Sequence, residues 1–472
     1  MQSSIRLTHS STRGKPRIAV IGCGWAGFRF AQDIDKTKYQ VSLISPRNHF
    51  LFTPLLPSTA VGTLEFRCIQ EPVRTIPGLD YKQASCNSID FNNKKLHCTE
   101  VFKNSSFTMD YDYLVLSPGS ETNTFNVPGV EGNPRVFFLK QLDQARLIRN
   151  KLIESFERAG MPSIEPEERK RLLTFVVVGG GPTNVEFASE LHDFLMEDVA
   201  RSYGDLLPYV RVVVVEASGH ILGSFKSSLV DYVEKLFKSR SIDVRANTTV
   251  VAIEDGNVAV LGDGTQLPFG LMVWSTGIKQ VALVRNLMSE TAHARGGRLV
   301  TDAQLRLLSA APTPPDSATE APVQQQYGSP IGNSSVYAMG DCACNGTHPL
   351  PPLAQVAAQQ GKYLAKTMNQ HSDVFAAALE GANGNAAVSA LAPFRYSHLG
   401  SMASVGSWKG VVDTPNICKR SDSQEGPPVT GLLAFLLWRA AYWTKQVSLV
   451  NKLLIPMYWF KSMVFGRDIS RF

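Results

Sequence analysis

Short runs of β-branched and other apolar residues, each closed by glycine, recur along the chain. RIAVIG at 17–22 and FVVVGG at 175–180 show no polar alternation, which is typical of a central strand in a parallel sheet. Each run leads into a helical stretch and then to a second strand, YQVSLIS at 39–45 and VRVVVVEAS at 210–218. This alternation predicts two units of strand, turn, helix and strand, roughly a domain apart.

Three further strands end in small-residue turns: YDYLVLSPG at 111–119, GLMVWSTG at 270–277 and SSVYAMGD at 334–341. Gly119 and Gly277 mark the points at which the chain leaves one unit for the next, and Gly340 closes the last strand. The order predicts an α/β fold of two nested Rossmann-like, glutathione-reductase-like units, followed by a C-terminal amphipathic helical segment. The predicted bounds are 1–15 for a basic tail, 16–150 and 281–400 for the first nucleotide domain, 151–280 for the second, and 401–472 for the C-terminal segment.

The first glycine turn has the spacing of a dinucleotide clamp. Gly22, Gly24 and Gly27 follow the strand in G-x-G-x-x-G order. The first glycine suits a tight turn, the second lets backbone N–H groups approach a pyrophosphate, and the third lets the helix pack closely on the strand. The acid that normally holds a ribose hydroxyl is replaced by Ser45, with Arg47 two residues on. Either side chain makes the adenosine-side contacts, or this site binds loosely.

The second turn repeats the pattern with Gly179, Gly180 and Gly181, but Asn184 stands where the third glycine is expected, which puts close helix packing in doubt. Glu216 ends the following strand, where a carboxylate bonds a ribose 2′-hydroxyl and repels a 2′-phosphate. This position predicts a preference for NADH over NADPH. Glu186, two residues after Asn184, either complements the helix dipole or contacts the nicotinamide or substrate.

Two clamps in one chain indicate a tightly held flavin dinucleotide, FAD, in the first and a dissociable NADH in the second, with the two rings meeting for hydride transfer. Asp341 can accept hydrogen bonds from a polyol such as ribitol. The sequence has no Cys-x4-Cys after the first clamp and no metal-spaced histidine cluster. Electrons are therefore expected to pass from the flavin to an external acceptor, and no metal is expected.

A proline-led stretch at 352–368 predicts a helix with one bare face. Ala354, Ala358 and Gly361 recur at helical spacing, so that something flat can approach, while Gln355 and Gln359 are one turn apart. The helix start favours negative charge on a reduced flavin, which places Ala354 and Gln355 near it. The alternative is close packing of this face on another helix.

Composition narrows the class of partner. The chain has 472 residues and a net charge of +6, without a basic-aromatic nucleic-acid footprint. Its seven cysteines are scattered, which suits a reducing compartment. The first carboxylate is Asp33, so the basic beginning fits an organellar transit segment or a plain disordered tail.

The C-terminal segment has no acidic residue from Gly426 to Arg467. Five basic residues break its apolar runs before any can span a bilayer, and amphipathic rings accompany them. The pattern predicts helices lying on an anionic membrane, or a hydrophobic homodimer interface, or both. Pro456 predicts two helices rather than one. The basic residues are Arg439, Lys445, Lys452, Lys461 and Arg467, and the rings are Trp438, Tyr442, Trp443, Tyr458 and Trp459.

From IGCGWAGF through ISPRNHFLFTPLLPSTAVGT, GGGPTNVEFA, YAMGDCA and PPLAQVAAQQGKYLA to the terminal FGRDISRF, the sequence resembles the mitochondrial type II, rotenone-insensitive NADH:quinone oxidoreductases. The resemblance implies non-covalent FAD, ubiquinone as acceptor, no proton pumping and a peripheral place on the mitochondrial inner membrane. It implies a flavin-side loop at Thr53, Pro54 and Leu55, and makes Gln355 and Gln359 the best candidates for lining a quinone pocket. The alternatives are a signalling flavoprotein like the apoptosis-inducing factors and a soluble ferredoxin- or disulfide-type reductase.

Overall fold

The computed structural model describes residues 14–294, 296–311, 327–380, 384–414 and 427–470. All but the last two residues of the predicted basic tail lie outside these ranges. The strands are β1 (Arg17–Ile21), β2 (Gln40–Ser45), β3 (His49–Leu51), β4 (Gln70–Pro72), β5 (Asp80–Asp90), β6 (Lys95–Glu100), β7 (Ser106–Asp110), β8 (Tyr113–Leu116), β9 (Ser120–Thr122), β10 (Val136–Phe138), β11 (Thr174–Val178), β12 (Arg211–Val215), β13 (Asp243–Arg245), β14 (Val250–Glu254), β15 (Val258–Leu261), β16 (Gln266–Pro268), β17 (Leu271–Trp274), β18 (Ile278–Gln280), β19 (Leu299–Thr301), β20 (Val336–Ala338), β21 (Ala343–Asn345), β22 (Ser401–Ser404), β23 (Gly410–Asp413) and β24 (Val429–Thr430).

The helices are α1 (Trp25–Asp33), α2 (Leu56–Ala60), α3 (Leu142–Ala159), α4 (Pro166–Leu172), α5 (Pro182–Phe194), α6 (Ala200–Ser202), α7 (Ser227–Ser239), α8 (Ala282–Asn286), α9 (Ala354–Gln370), α10 (Ser372–Glu380), α11 (Gly384–Ser389), α12 (Gly431–Thr444) and α13 (Leu449–Phe465). A π-helical turn at Leu195–Val199 links α5 to α6. Among the described residues, no helix is both long and apolar enough to cross a membrane.

Unit 1 comprises Met1–Phe50, Pro72–Ser120 and Gln280–Tyr396. Its sheet has the order β20-β8-β1-β2-β5-β6-β7. The first five strands are parallel. Of these, β20, β8, β1 and β2 are almost wholly buried, as expected of the inner strands of a parallel sheet. The outer part of β5 turns into an antiparallel meander with β6 and β7. This sheet carries the first clamp at the carboxyl end of β1.

Unit 2 comprises Leu51–Glu71, Glu121–Lys279 and Ser397–Phe472. Its central sheet, β10-β17-β11-β12-β13, is parallel throughout and carries the second clamp at the end of β11. The unit also contains an antiparallel meander of β14, β15 and β16 and a second one of β22, β23 and β24. The C-terminal helices α12 and α13 belong to the same unit.

The compact units divide the chain differently from the predicted domain bounds. The predicted break at 150/151 has no counterpart, because the chain passes into unit 2 between Ser120 and Glu121. The return to unit 1 falls between Lys279 and Gln280, two residues after Gly277. Residues 51–71 join unit 2, although the predicted first domain ran through them. The nesting itself follows the two glycine-marked crossings at Gly119 and Gly277.

Candidate functional site

The three glycines of the first turn in unit 1 have different structural roles. Gly22 has φ +95°, a left-handed conformation, and a Cβ there would collide with the carbonyl oxygen of Ser117. A Cβ on Gly27 would collide with the carbonyl oxygen of Gly22, so this glycine allows α1 to approach β1 closely. Gly24 has an ordinary φ of −76°, and a Cβ there would meet no atom within 4 Å. Neither conformation nor packing explains Gly24, which leaves open space at the start of α1.

Ser45 and Arg47 form one compact turn after β2. The Ser45 hydroxyl lies 3.2 Å from Cys23 Sγ and accepts a hydrogen bond from the Arg47 backbone N–H at 3.3 Å. Arg47 Nε donates to the His49 carbonyl at 2.9 Å. The serine hydroxyl is buried and shapes the turn, whereas the Arg47 side chain is half-buried. This arrangement favours Arg47 over Ser45 for contacts outside the turn.

The Gly340–Asp341 turn is held from two sides within unit 1. Ser120 Oγ donates to Asp341 Oδ2 at 3.0 Å, and the Gly340 N–H donates to Gln360 Oε1 at 2.8 Å. Gly340 has φ +78°, which a glycine adopts without strain. Sequence reasoning missed Ser120 and Gln360. The signal for Gln360 was its place on the buried face of the predicted helix, where a polar side chain needs a partner.

Gly119, beside Ser120, combines φ +76° with open space around its missing Cβ.

Helix α9 begins at Ala354, two residues later than predicted, and ends at Gln370. Ala354, Gln355 and Gln359 are half-buried on one side of it. The predicted bare face does not extend to Gly361, because a Cβ there would collide with the Ala26 carbonyl of α1. At that end the helix-packing alternative is correct.

The second clamp in unit 2 keeps close packing despite Asn184. The Asn184 amide is buried and donates to the carbonyls of Val178 at 2.8 Å and Gly179 at 2.9 Å. These bonds tie α5 to the end of β11, so the doubt raised by the missing glycine is resolved. Gly181 caps α5 with an ordinary φ of −70° and open space around its missing Cβ.

Glu216 reaches back to the glycine turn from the end of β12. Its Oε2 accepts from the Gly180 N–H at 2.5 Å, and its Oε1 accepts from the Ser218 N–H at 2.7 Å and hydroxyl at 2.6 Å. A Cβ on Gly180 would lie 2.9 Å from Glu216 Oε2. Gly277 takes φ +69° where the chain passes Phe125, again in unit 2. The carboxylate is therefore fixed beside the clamp.

Glu186 lies deep inside unit 2. Its Oε1 accepts hydrogen bonds from the Trp438 indole at 2.8 Å and the Ser404 N–H at 3.1 Å. Burial raises its pKa to about 8, even though both hydrogen bonds favour the charged form. Glu186 lies beyond the first turn of α5, so the helix-dipole reading is wrong. Its contact with a nicotinamide or substrate stays a prediction.

The segment that resembles the flavin-side loop is a 3₁₀ turn, Thr53–Leu55, leading into α2. It belongs to unit 2, with Leu55 buried and Thr53 and Pro54 half-buried.

The C-terminal segment forms two helices, as predicted, but the break falls at 445–448 rather than at Pro456. Pro456 lies inside α13. A proline cannot donate to the carbonyl four residues earlier, here that of Lys452. The Trp443 indole donates to this carbonyl at 2.7 Å instead. The side chain of one helix thereby satisfies the backbone group that the proline leaves open in the other.

Two of the five basic residues assigned to a membrane surface point inward. Arg439 stacks on the rings of Phe435 and Trp459, each 4.5 Å from its guanidinium carbon, and burial lowers its pKa to about 10. Arg467 pairs with Asp198 and Glu197 at 2.8 Å. The prediction that these two arginines face a membrane is wrong. Trp438 and Trp459 are buried as well.

The two helices α12 and α13 and the link between them expose a series of large apolar side chains. Because single-domain surfaces rarely carry so many, the series marks a surface that something covers. We call it the apolar face; its members are Leu432, Leu433, Leu436, Leu437, Trp443, Val447, Leu449, Val450, Leu453, Met457, Phe460, Met463, Val464 and Phe465.

Two nucleotide-type sheets, each with a glycine turn that leaves room above the start of a helix, define a two-dinucleotide-binding oxidoreductase. Residues 16–312 match the family described as pyridine nucleotide-disulphide oxidoreductase, and residues 398–468 match the NDH2 C-terminal domain. The predicted fold class is confirmed.

The relatives narrow the class. A probable NADH dehydrogenase of Dictyostelium discoideum is 40% identical over 97% of this chain and 91% of its own length. The mitochondrial internal alternative NAD(P)H-ubiquinone oxidoreductase A1 of Arabidopsis thaliana is 40% identical over 97% and 86%. The mitochondrial external NADH-ubiquinone oxidoreductase 2 of Saccharomyces cerevisiae is 36% identical over 97% and 82%. The structure of NDH2 from Plasmodium falciparum in complex with NADH shares the fold, with a TM-score of 0.83 over 97% of this chain and 100% of that chain at 24% identity. The chain belongs to the type II NADH dehydrogenase family.

Proposed function

We propose that this protein is a non-proton-pumping, FAD-dependent NADH:ubiquinone oxidoreductase, bound peripherally to the mitochondrial inner membrane. The membership of the family supports the reaction, and the mitochondrial relatives support the compartment. The same relatives favour this activity over a signalling flavoprotein or a soluble reductase.

The observation that carries the proposal is the pair of glycines that the fold itself does not need. Gly24 and Gly181 each begin a helix, each has an ordinary φ, and each leaves space in which a Cβ would meet nothing within 4 Å. A helix start with exposed N–H groups and no side chain in front of it suits a phosphate. The two positions therefore fit one dinucleotide each.

In unit 1, the residues present fit FAD. Gly24 leaves room for the pyrophosphate at the start of α1, and Arg47 offers a guanidinium to the adenosine half. Asp341 offers a carboxylate to the ribityl hydroxyls, oriented by Ser120. Gly119, Ala354 and Gln355 complete the proposed set in this unit. FAD, when bound, supplies two-electron chemistry: it accepts a hydride and gives up electrons to an acceptor.

In unit 2, the fixed Glu216 carboxylate accounts for the choice of nucleotide. It is oriented by the Gly180 and Ser218 N–H groups, so it can accept from a ribose hydroxyl without reorganising. A 2′-phosphate would meet a like charge there. The proposed NADH set comprises Gly179, Gly180, Gly181, Asn184, Glu186, Glu216 and Gly277.

For the quinone, we propose the half-buried amides of Gln355 and Gln359, one turn apart near the start of α9. Neutral amides can donate to quinone carbonyls without the cost of burying a charge. Gln360, the next residue, is a positioning residue because its side chain holds the Gly340 N–H instead.

For the membrane, we propose that the apolar face enters the interface of an anionic bilayer. Lys445, which directly follows α12, is exposed, and Lys452 and Lys461 on α13 are half-buried, whereas α12 and α13 contain no acid. Burial of apolar side chains and attraction of lysines to anionic lipids add together. A homodimer that shares part of this face is the finer assembly we propose.

The reaction is tested by anaerobic half-reactions. Reduction of the bound flavin by NADH, followed by reoxidation with a short-chain ubiquinone, is expected. Two variants should affect different half-reactions. Glu216→Gln should slow reduction of the flavin by NADH, and Gln359→Leu should slow reoxidation of the reduced flavin by ubiquinone. Loss of the same half-reaction in both variants would contradict the assignment of residues.

Membrane binding is tested by sedimentation with cardiolipin-containing and phosphatidylcholine vesicles. Lys445→Glu should weaken binding to the anionic vesicles and not to the neutral ones, with Lys170→Glu, an exposed lysine on α4, as the matched control. If the wild type, Lys445→Glu and Lys170→Glu all bind equally to both kinds of vesicle, the proposed attraction of Lys445 to anionic lipids is contradicted. Light scattering of the detergent-solubilised protein decides between monomer and dimer.

A further inference from the structure

Cys86 and Cys98 lie directly opposite each other in unit 1. The antiparallel register of β5 and β6 pairs the Cα of Cys86 with that of Cys98. Opposite residues in such a pair share one face of the sheet, with Cα atoms about 4.5–5.5 Å apart. A disulfide needs about 4.4–6.8 Å. The backbone therefore already has the spacing that a bond between these two free thiols requires.

The surroundings allow a bond without moving the core sheet. Cys98 is buried, and the half-buried Cys86 packs against the same apolar cluster. The register shifts between Cys86 and Ser88, and the extra residue, Asn87, donates to Thr99 Oγ1 at 2.7 Å. A bulge gives one strand local freedom to twist, so that the sulfur atoms can adjust while the parallel strands stay in place.

The hydrogen bond between the two thiols makes them unequal in acidity. A hydrogen bond from the Cys86 thiol lowers the pKa of Cys98, although burial works against this shift. The same hydrogen bond, together with burial, raises the pKa of Cys86. Cys98 is therefore the more acidic thiol of the pair. A thiolate is the form of cysteine that reacts with peroxides.

A buried hydroxyl adds a further polar group beside the sulfur atoms. Tyr111 Oη has no hydrogen-bond partner among the described residues. Burial raises the pKa of Tyr111, with further contributions from negative charge on Asp90 and on Cys86. This donor lies in the same buried cluster as Cys98 and is available to a thiolate there.

We propose that Cys86 and Cys98 form a redox modification site that hydrogen peroxide converts into an intrachain disulfide and that a dithiol reductant restores. One thiolate attacks the O–O bond of the peroxide and becomes a sulfenic acid, and the hydroxide that leaves takes up the proton of the second thiol as water. The second sulfur then attacks the sulfenic sulfur, and the S–S bond forms as hydroxide leaves. This hydroxide takes up the proton that the first thiol had released to solvent, which makes a second water. Two thiols lose two electrons, and one peroxide becomes two waters. In reversal, the reductant's two thiols become a disulfide.

Peptide mapping of the full FAD-loaded protein tests this site. The protein is treated with hydrogen peroxide, remaining thiols are blocked with N-ethylmaleimide, and peptides are separated without reduction. We expect one cross-linked peptide that joins Cys86 to Cys98 and disappears with dithiothreitol, while Cys344 stays alkylated. Alkylation of both Cys86 and Cys98 after peroxide, or sulfinic acids at both without a cross-link, would overturn the proposal.

Two controls sharpen the result. Cys344→Ser should keep the cross-link, whereas Cys86→Ser should lose it and leave Cys98 singly oxidised. Because the wild-type map needs no variant, the proposal stays testable even where Cys86→Ser does not fold. Oxidation of a mixture of isotopically light and heavy protein must give only light–light and heavy–heavy cross-links, since mixed ones would show a bond between chains and refute an intrachain site.

Discussion

Glu186 is expected to lower the stability of the folded protein progressively as the pH rises. The side chain is 5% exposed, and burial raises its pKa from an ordinary 4.5 to about 8. An acid whose pKa is higher in the folded state binds its proton more tightly there. The unfavourable contribution of Glu186 to the free energy of folding is therefore absent well below pH 4.5. It grows between the two pKa values and levels off above about 8. Glu186→Gln removes this cost and keeps an oxygen that accepts from Trp438 and Ser404.

The magnitude follows from the two pKa values. One pKa unit corresponds to about 1.4 kcal/mol, so the cost is about 1 kcal/mol at pH 5, about 3 kcal/mol at pH 7 and about 4–5 kcal/mol above pH 8. Glu186→Gln should stabilise the protein by amounts of this order, increasing with pH. The part of the stability difference that changes with pH reports the ionisation of Glu186, so no double mutant is needed to separate it from other effects of the substitution.

The assay is urea unfolding of wild type and Glu186→Gln, each loaded with FAD, at several pH values from about 5 to 8.5. Glu167→Gln, an exposed glutamate on α4, serves as the control and should change nothing. A Glu186→Gln variant that is less stable than wild type by the same amount at every pH would refute the reasoning. So would a stability difference that shrinks as the pH rises.

Three further predictions concern the nucleotide sites and the C-terminal tail. Glu216→Gln should raise kcat/KM for NADPH and lower it for NADH, each by about tenfold, since one charged hydrogen bond is worth about 1.5–3 kcal/mol; unchanged cofactor preference in steady-state assays would remove Glu216 from the ribose site. Gly24→Ala should fold normally but purify with less flavin, whereas Gly204→Ala, which also has open space around its missing Cβ, should keep its flavin; equal flavin absorbance per protein in both would contradict a phosphate cradle at Gly24. Arg467→Met should destabilise the protein by about 3 kcal/mol, because it leaves the buried carboxylate of Asp198 without its partner. The control is Arg17→Met, which removes an exposed ion pair with Asp112. A melting temperature of Arg467→Met no lower than that of Arg17→Met would contradict this prediction.

Local sequence patterns predicted the strands and glycine turns because their causes are local. A buried parallel strand needs an unbroken apolar run, and a left-handed turn needs glycine, so β1, β11 and Gly22 could be read directly. The same patterns predicted the order of the nested units. The assignment of residues 51–71 to unit 2 could not be predicted from the sequence, because it depends on which distant residues their side chains contact.

The surroundings of the polar residues could not be predicted, since each depends on a partner far along the chain. Glu186 bonds Trp438, which is 252 residues away, and Arg467 bonds Asp198 of the π-helical turn, which is 269 residues away. A basic residue in an apolar segment faces either a membrane or an internal carboxylate, and composition does not distinguish them. Asn184 raised a similar ambiguity, which its bonds to two backbone carbonyls resolve.

The most direct test of the central claim is stopped-flow absorbance of the FAD-loaded protein without oxygen. Mixing with one equivalent of NADH should bleach the flavin, and mixing the reduced protein with a short-chain ubiquinone should restore the flavin spectrum within a single turnover. A flavin that NADH reduces but ubiquinone leaves reduced would contradict the account.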